Sequence, residues 1–224
     1  MHTRLRQGRC PAVDHGPRTI VLAPFAMGRY PVTNREFNTF LRATDYRPVE
    51  ARNFLRHWTE GQPPRGQEDH PVVWVSPSDA EAYARWAELR LPTDEEWQWA
   101  ALGEARGPWP WGRQIRPNHC NQSGTGTSAV SAFPEGASPF GCQDMIGNAW
   151  EWVGHELSDD WHHWRLIRGG SYYRPDASIW YAEGGPLPAN AHQRFLLMSE
   201  GLNRCGTVGF RCASDRPHSS SLAQ

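Results

Sequence analysis

The chain has 224 residues, and 23 Lys plus Arg stand against 24 Asp plus Glu for a formal charge of −1. That balance gives no field to steer the protein onto nucleic acid, and no stretch approaches the roughly 18 consecutive apolar residues of a membrane helix. A hydrophobic share of 38% with 12 Trp can fill one sizeable core, whereas 21 Gly and 19 Pro predict many turns and little regular structure.

In chain order, residues 1–18 are polar and punctuated by Pro and Gly, the composition of a terminus weakly tied to a core. The basic start Met1–Arg6 is not followed by the apolar run of a signal peptide. The expectation is therefore a cytoplasmic protein with a single domain over residues 19–215. Thr19–Leu22 reads as a strand, and Phe25–Tyr30 as a second. Thr33 with Glu36 three residues on forms a capping box, which predicts a helix to about Ala43 with Phe37, Phe40 and Leu41 on one face.

Residues 45–70 are polar and contain Pro, so a surface excursion is expected. After the apolar run Val72–Val75, Ser76 followed by Pro77 starts a second helix over about 77–88, with Ala80, Tyr83, Ala84 and Ala87 inward. Thr93 and Glu96 repeat the capping logic for a third helix that buries Trp97, Ala100 and Ala101. Residues 103–142 predict an ordered loop anchored by Trp109 and Trp111. Asp144–Val153, Arg165–Tyr173 and Val208–Ala213 predict core strands, and residues 216–224 a weakly tied terminus.

The five cysteines, Cys10, Cys120, Cys142, Cys205 and Cys212, show neither a Cys-x-x-Cys pair nor zinc-ligand spacing. An odd count suits a reducing compartment, with a Cys205–Cys212 bridge the alternative that sequence distance allows. There is no phosphate-binding glycine loop, Gly-x-Ser-x-Gly elbow or His-Glu-x-x-His helix.

An ordered series of segments carries a family resemblance. It comprises Tyr30–Asn34, His70–Val73, Ala82–Ala87, Arg90–Trp97, Trp109–Gly112, Asp144–Trp152, Arg168–Ser171 and Gly209–Cys212. The series, spanning about residues 25–215, resembles the sulfatase-modifying-factor family. That family includes formylglycine-generating enzymes, the C-terminal domains of ergothioneine-type sulfoxide synthases, a pyoverdine-maturation enzyme and retroelement-diversified variable proteins. The resemblance implies an α+β, C-type-lectin-like fold with little regular secondary structure.

It also implies where chemistry would lie. In the formylglycine-generating enzymes two cysteines beyond the Gly-Gly-Ser segment hold copper. The gapless positions here are Ile179 and Gly184, and no cysteine lies between Cys142 and Cys205. Copper and formylglycine synthesis are therefore not expected, because copper(I) needs soft thiolate ligands. The family's calcium site maps onto Asp144, the carbonyls of Gly147 and Ala149, and Glu151, an oxygen-only set suited to a hard cation.

The family's substrate groove maps onto a stretch rich in rigid aromatics and polar groups: Tyr172, Tyr173, Arg174, Trp180, Tyr181, Glu183, His192 and Gln193, bordered by Arg204. Arg211 reads either as a border of that groove or as a salt-bridge partner. The first expectation is thus a calcium-braced binding module presenting about residues 172–211 to a protein, peptide or small-molecule ligand. One alternative is an iron-dependent oxidoreductase drawing on His155, Glu156, Asp159, Asp160, His162 and His163. The other is a retroelement-diversified binding protein.

Overall fold

The computed structural model describes residues 20–104, 107–122, 124–174 and 184–215. Helices α1 (Asn34–Thr44), α2 (Pro77–Trp86) and α3 (Asp94–Leu102) each begin at a reciprocal capping box. In α1 the Glu36 amide donates to Thr33 Oγ1 at 3.2 Å while Glu36 Oε2 accepts the Thr33 amide at 2.8 Å. Thr93 and Glu96 repeat this at α3. At α2 the box closes with Asp79: the Ser76 amide donates to Asp79 Oδ2 at 2.7 Å, and the Asp79 amide donates to Ser76 Oγ at 3.2 Å.

Ser76 and Asp79 are fully buried, so water cannot replace a lost cap. Ser76→Ala is expected to cost about 1–2 kcal/mol. The readout is a lower urea midpoint at unchanged denaturant slope.

A four-stranded sheet runs in the order β4 (Gln193–Leu197), β3 (His163–Arg168), β2 (Trp150–Ser158), β5 (Val208–Phe210). The β4–β3 and β3–β2 pairs are antiparallel and β2–β5 is parallel, with Trp150 opposite Val208. Two further short strands, β1 (Ala26–Met27) and β6 (Ala213–Ser214), pair antiparallel near the two ends of the described chain. A four-residue helix, α4 (Glu200–Asn203), follows β4.

Two apolar clusters flank the sheet. In the first, Phe37 stacks on Tyr83 at 5.8 Å, Tyr83 meets Phe210 edge-on at 5.5 Å, and Trp152 meets Phe195 at 4.9 Å. The second gathers Trp97, Met145, Ile146, Val153 and Leu166. Each fully buried ring or branched side chain contributes roughly 1.5–3 kcal/mol, so these clusters place the three helices against the sheet. No helix among the described residues is long and apolar enough to cross a membrane.

The structure departs from the sequence expectations at several places. Ile20–Leu22 form no strand, and of Phe25–Tyr30 only Ala26–Met27 pair. The 45–70 excursion is not merely solvated, since Leu55 is buried and Phe54 and Trp58 pack against the core. The segment from Asp144 enters the sheet only at Trp150, because Asp144, Gly147 and Asn148 adopt positive φ (52°, 76° and 59°) and cannot lie in a pleat. The strand expected over Arg165–Tyr173 ends at Arg168, where Gly169 and Gly170 turn with φ of 87° and 81°. Val208–Ala213 splits into β5 and part of β6 around a buried corner, Arg211–Cys212. Strand β4 and helix α4 were not anticipated.

Candidate functional site

The turn from Asp144 to Ala149 is the hub to which the loops of one region attach. Asn148 sits at its centre, fully buried. Its side-chain amide donates to Asp144 Oδ2 at 2.8 Å and to the Ser128 carbonyl at 3.1 Å. Its Oδ1 accepts from the Ser128 amide at 2.9 Å and from Asn121 Nδ2 at 3.2 Å. The Asn148 backbone donates to the Asn121 carbonyl and accepts from the Tyr172 amide, each at 3.0 Å, and the Gly147 amide donates to the Gly169 carbonyl at 2.9 Å. One asparagine thus fastens Asn121 and Ser128 to Tyr172. Gly147 is needed for this approach, because a Cβ there would lie 2.5 Å from the Asn121 carbonyl oxygen.

Beneath the turn, Glu151 and Arg211 form a buried ion pair. Arg211 Nε donates to Oε2 and Nη2 to Oε1, both at 2.7 Å, while the Trp97 indole donates to Oε2 at 2.7 Å. The remaining guanidinium protons reach the carbonyls of Gln143 at 2.8 Å and Gly28 at 3.0 Å. Burial works against the Arg211 charge, but the carboxylate of Glu151 outweighs it and raises the pKa. Arg211 is therefore a structural partner rather than a border of the groove.

Asp144 contrasts with Glu151. Its Oδ1 is buried with no hydrogen-bond partner. Burial pushes its carboxyl up to about 7, aided by the nearby Glu151 and opposed by the Asn148 hydrogen bond and the Arg211 charge. An orphaned, buried carboxylate oxygen is one donor of the kind a hard cation takes. Glu151, expected as the closing ligand, has both oxygens engaged by Arg211 and Trp97. Of the expected set, only Asp144 and the carbonyls of Gly147 and Ala149 are left for a cation.

The segment after β3 is held by a second buried cation. Arg168 Nε donates to Asp94 Oδ1 at 2.6 Å, its Nη2 contacts Asp94 Oδ2, and its Nη1 donates to the carbonyls of Ala189 and Ala191 at 3.0 Å. The chain leaving Gly169 then pairs with the chain returning at Gly184–Leu187. The Ser171 amide donates to the Gly185 carbonyl at 3.1 Å, that of Gly185 to Tyr173 at 2.7 Å and that of Leu187 to Gly169 at 3.1 Å. Gly170 is required here, since a Cβ would meet the Gly185 oxygen at 2.3 Å.

This base presents Tyr172, Tyr173 and Arg174. Tyr172 is half-buried, its phenol reaching the Gly206 carbonyl at 3.5 Å, and burial raises its pKa. Tyr173 meets Tyr172 edge-on at 6.5 Å. Arg174 is exposed and donates to Gln122 Oε1 at 2.9 Å, a neighbour that sequence reasoning missed. The Gly124 amide donates to the Tyr172 carbonyl at 2.8 Å, so Gln122 and Gly124 flank the same base.

The other expected ligand-binding residues divide. Trp180, Tyr181 and Glu183 lie outside the described residues. His192 is exposed and Gln193 opens β4 opposite Ile167. Arg204 is corrected: it is fully buried, bonded to Asp79 at 2.7 and 3.1 Å and to the Arg52 carbonyl at 3.0 Å, with no face toward a groove. Its partner lies 125 residues away in sequence, a pairing that no local signal announces.

The histidine-rich stretch closes the β2–β3 turn. Asp159 Oδ1 accepts the amides of Trp161 and His162 at 2.8 and 2.7 Å and lies 3.2 Å from His162 Nδ1, while Glu156 takes Arg165 at 2.8 Å. Among the described residues no three His, Cys, Asp or Glu side chains converge as a metal-binding group. Cys120, Cys142, Cys205 and Cys212 are free and buried, which overturns the alternative of a Cys205–Cys212 bridge. Burial pushes the Cys120 and Cys212 thiols up to about 12 and raises that of Cys205.

Comparison with known proteins agrees with this architecture. Residues 4–216 match the FGE-sulfatase family, described as the sulfatase-modifying factor enzyme 1-like domain. The chain is 31% identical over 251 residues to the inactive C-alpha-formylglycine-generating enzyme 2 of Bos taurus, covering 89% of this chain and 80% of the relative. It is 36% identical over 207 residues to the formylglycine-generating enzyme of Thermomonospora curvata, covering 68% and 67%. The solved structure of PvdO from Pseudomonas aeruginosa superposes with a TM-score of 0.66 at 24% identity, covering 95% of this chain and 89% of that one. The α+β fold is the C-type-lectin-like fold of these proteins. The protein belongs to the FGE-sulfatase family of sulfatase-modifying factor enzyme 1-like domains.

Proposed function

We propose that this chain is a ligand-binding member of its family that does not carry out copper-dependent cysteine oxidation. The observation that carries this reading is the state of the thiols. Every described cysteine is buried, burial holds Cys120, Cys205 and Cys212 protonated at neutral pH, and the positions that would hold copper are Ile179 and Gly184. A soft metal needs thiolates that it can reach. The similarity to a relative named as inactive supports the same reading.

The binding surface is the base formed by Tyr172, Tyr173 and Arg174 with Gln122, and Trp180, Tyr181 and Glu183 follow it in sequence. Two aromatic rings and a guanidinium on a hydrogen-bonded base offer contact area at low entropic cost. The ligand is a protein, peptide or small molecule. Calcium held by Asp144 and the carbonyls of Gly147 and Ala149 would brace the turn to which this base is fastened. Cytoplasmic residence belongs to the same reading, supported by the free thiols.

The test is selection of a displayed peptide library on the wild-type protein, followed by titration of the selected peptide. Tyr173→Ala and Arg174→Ala are expected to weaken binding by about tenfold or more at unchanged melting temperature. Binding untouched by either variant removes the surface assignment. Oxygen uptake with copper(I) and a cysteine-containing peptide should stay at the protein-free rate, and turnover would sink the reading.

A further inference from the structure

The excursion between α1 and the apolar run Val72–Val75 does more than cover the core. With the outer face of α1 it walls a cavity of about 460 Å³, within the roughly 300–1,000 Å³ that small-molecule sites occupy. Leu41, Phe54, Leu55 and Trp58 supply its apolar lining, and it shares no residue with the Tyr172–Arg174 base.

The apolar wall is fixed before any ligand arrives. The Leu55 amide donates to the Trp74 carbonyl at 3.0 Å and the Trp58 amide to the Leu55 carbonyl at 2.8 Å, while the Trp58 indole donates to Asn34 Oδ1 at 3.2 Å. Phe54 rests edge-on against Phe37 and Tyr46 at 6.3 and 6.1 Å. Yet Phe54 and Trp58 stay only half-buried, and both line the cavity.

The backbone around the cavity is strained. Eight non-glycine residues have positive φ among the described residues, and four of them gather here: Asp45 (50°) and Leu55 (46°) line the cavity, and Asn53 (60°) and Glu60 (52°) adjoin Phe54 and Gly61. The Cβ of a leucine disfavours this left-handed region, and such conformations cluster at ligand sites, where the surroundings enforce them. Here they place a side chain. Glu60 and Gly61, both left-handed, turn a hairpin closed by Thr59 and Gln62, whose amides donate to each other's carbonyls at 3.1 and 2.9 Å. That turn sets Gln62 Oε1 at 3.0 Å from Arg42 Nη2 on the cavity rim.

Charge on the rim is unbalanced. Asp45 is paired with Arg47 at 2.9 Å, whereas Arg42 has a neutral amide as its acceptor and no carboxylate at ion-pair distance among the described residues. A guanidinium without a counter-ion, set beside aromatic and branched walls, matches a flat apolar body that carries one carboxylate. We propose that this cavity binds a small aromatic carboxylate, the carboxylate accepting from Arg42 and the ring lying against Leu41, Phe54 and Trp58.

Calorimetric titration of the full-length chain with 2-naphthoate tests the proposal, with the neutral 2-naphthamide as its control. Saturable binding with a Kd below about 1 mM is expected, and the amide should bind about tenfold more weakly or worse. Arg42→Gln should weaken the carboxylate by about tenfold or more and leave the amide unchanged. Arg42 is exposed, so the melting temperature of that variant should match wild type. Asn38→Trp, on the helix face that lines the cavity, fills the space with a ring and should abolish binding of both probes, whereas Tyr173→Ala should change neither. Four results overturn the proposal: no saturation by 2-naphthoate, equal affinity for the two probes, naphthoate binding indifferent to Arg42→Gln or to Asn38→Trp, or binding lost with Tyr173→Ala, which would put the probe on the Tyr172–Arg174 base.

Discussion

Exchanging Arg211 for methionine, with Glu151 left in place, is expected to destabilise the fold by about 3–5 kcal/mol. Both groups are almost wholly buried, and the guanidinium supplies two of the three hydrogen bonds to the carboxylate. Without it Glu151 keeps only the Trp97 indole, and the carbonyls of Gly28 and Gln143 lose donors as well. Adding Glu151→Gln should recover part of the loss, because the neutral amide removes the stranded charge and still accepts from Trp97. The exposed pair Arg35–Asp69, at 3.0 Å, is the internal contrast: Arg35→Met should leave stability nearly unchanged, because water screens an exposed pair. Urea titrations of the variants would decide the matter, and an Arg211→Met loss no larger than that of Arg35→Met would refute the role given to the pair.

The second large effect is expected at Asp144, and its sign depends on the cation. In chelator the folded-state carboxyl titrates near 7, against about 3.9 in an unfolded chain. The folded state therefore binds more protons between these values, and its stability falls as pH rises from about 4 to 7. Asp144→Asn removes the buried charge and keeps the shape. At pH 8 in chelator the variant should be the more stable, by at most about 4 kcal/mol for a difference of roughly three pKa units, and the two proteins should converge below pH 4. Calcium at more than about a thousandfold excess over Kd, worth about 4.1 kcal/mol or more, should reverse the order by stabilising wild type while leaving Asp144→Asn unmoved. A wild-type melting temperature indifferent to calcium and chelator would remove the cation from Asp144.

The helix starts were legible because a capping box is local: Thr33 with Glu36 and Thr93 with Glu96 lie three residues apart. The Ser76–Pro77 start was legible for the same reason. What was hidden depends on distant partners or on backbone angles. Asp144–Trp152 looks like a strand by composition, but its left-handed residues serve Asn121, Ser128 and Gly169, which approach only in the fold. Arg204 looked like a groove residue because nothing in its neighbourhood names Asp79. Arg211 carried a usable signal, a charge within the apolar run Val208–Ala213, which in a core implies a buried counter-ion. Gln193 read as surface chemistry because β4, which it opens, has no alternation to mark it.

The pairing of Ala26 with Ser214 brings the two ends of the described domain side by side. Entry and exit then share one face, so the domain can be spliced into a loop of another protein while adding little separation between the flanking residues. Its position within a larger polypeptide is correspondingly unconstrained: the same unit can be leading, trailing or inserted without redesign of its interior.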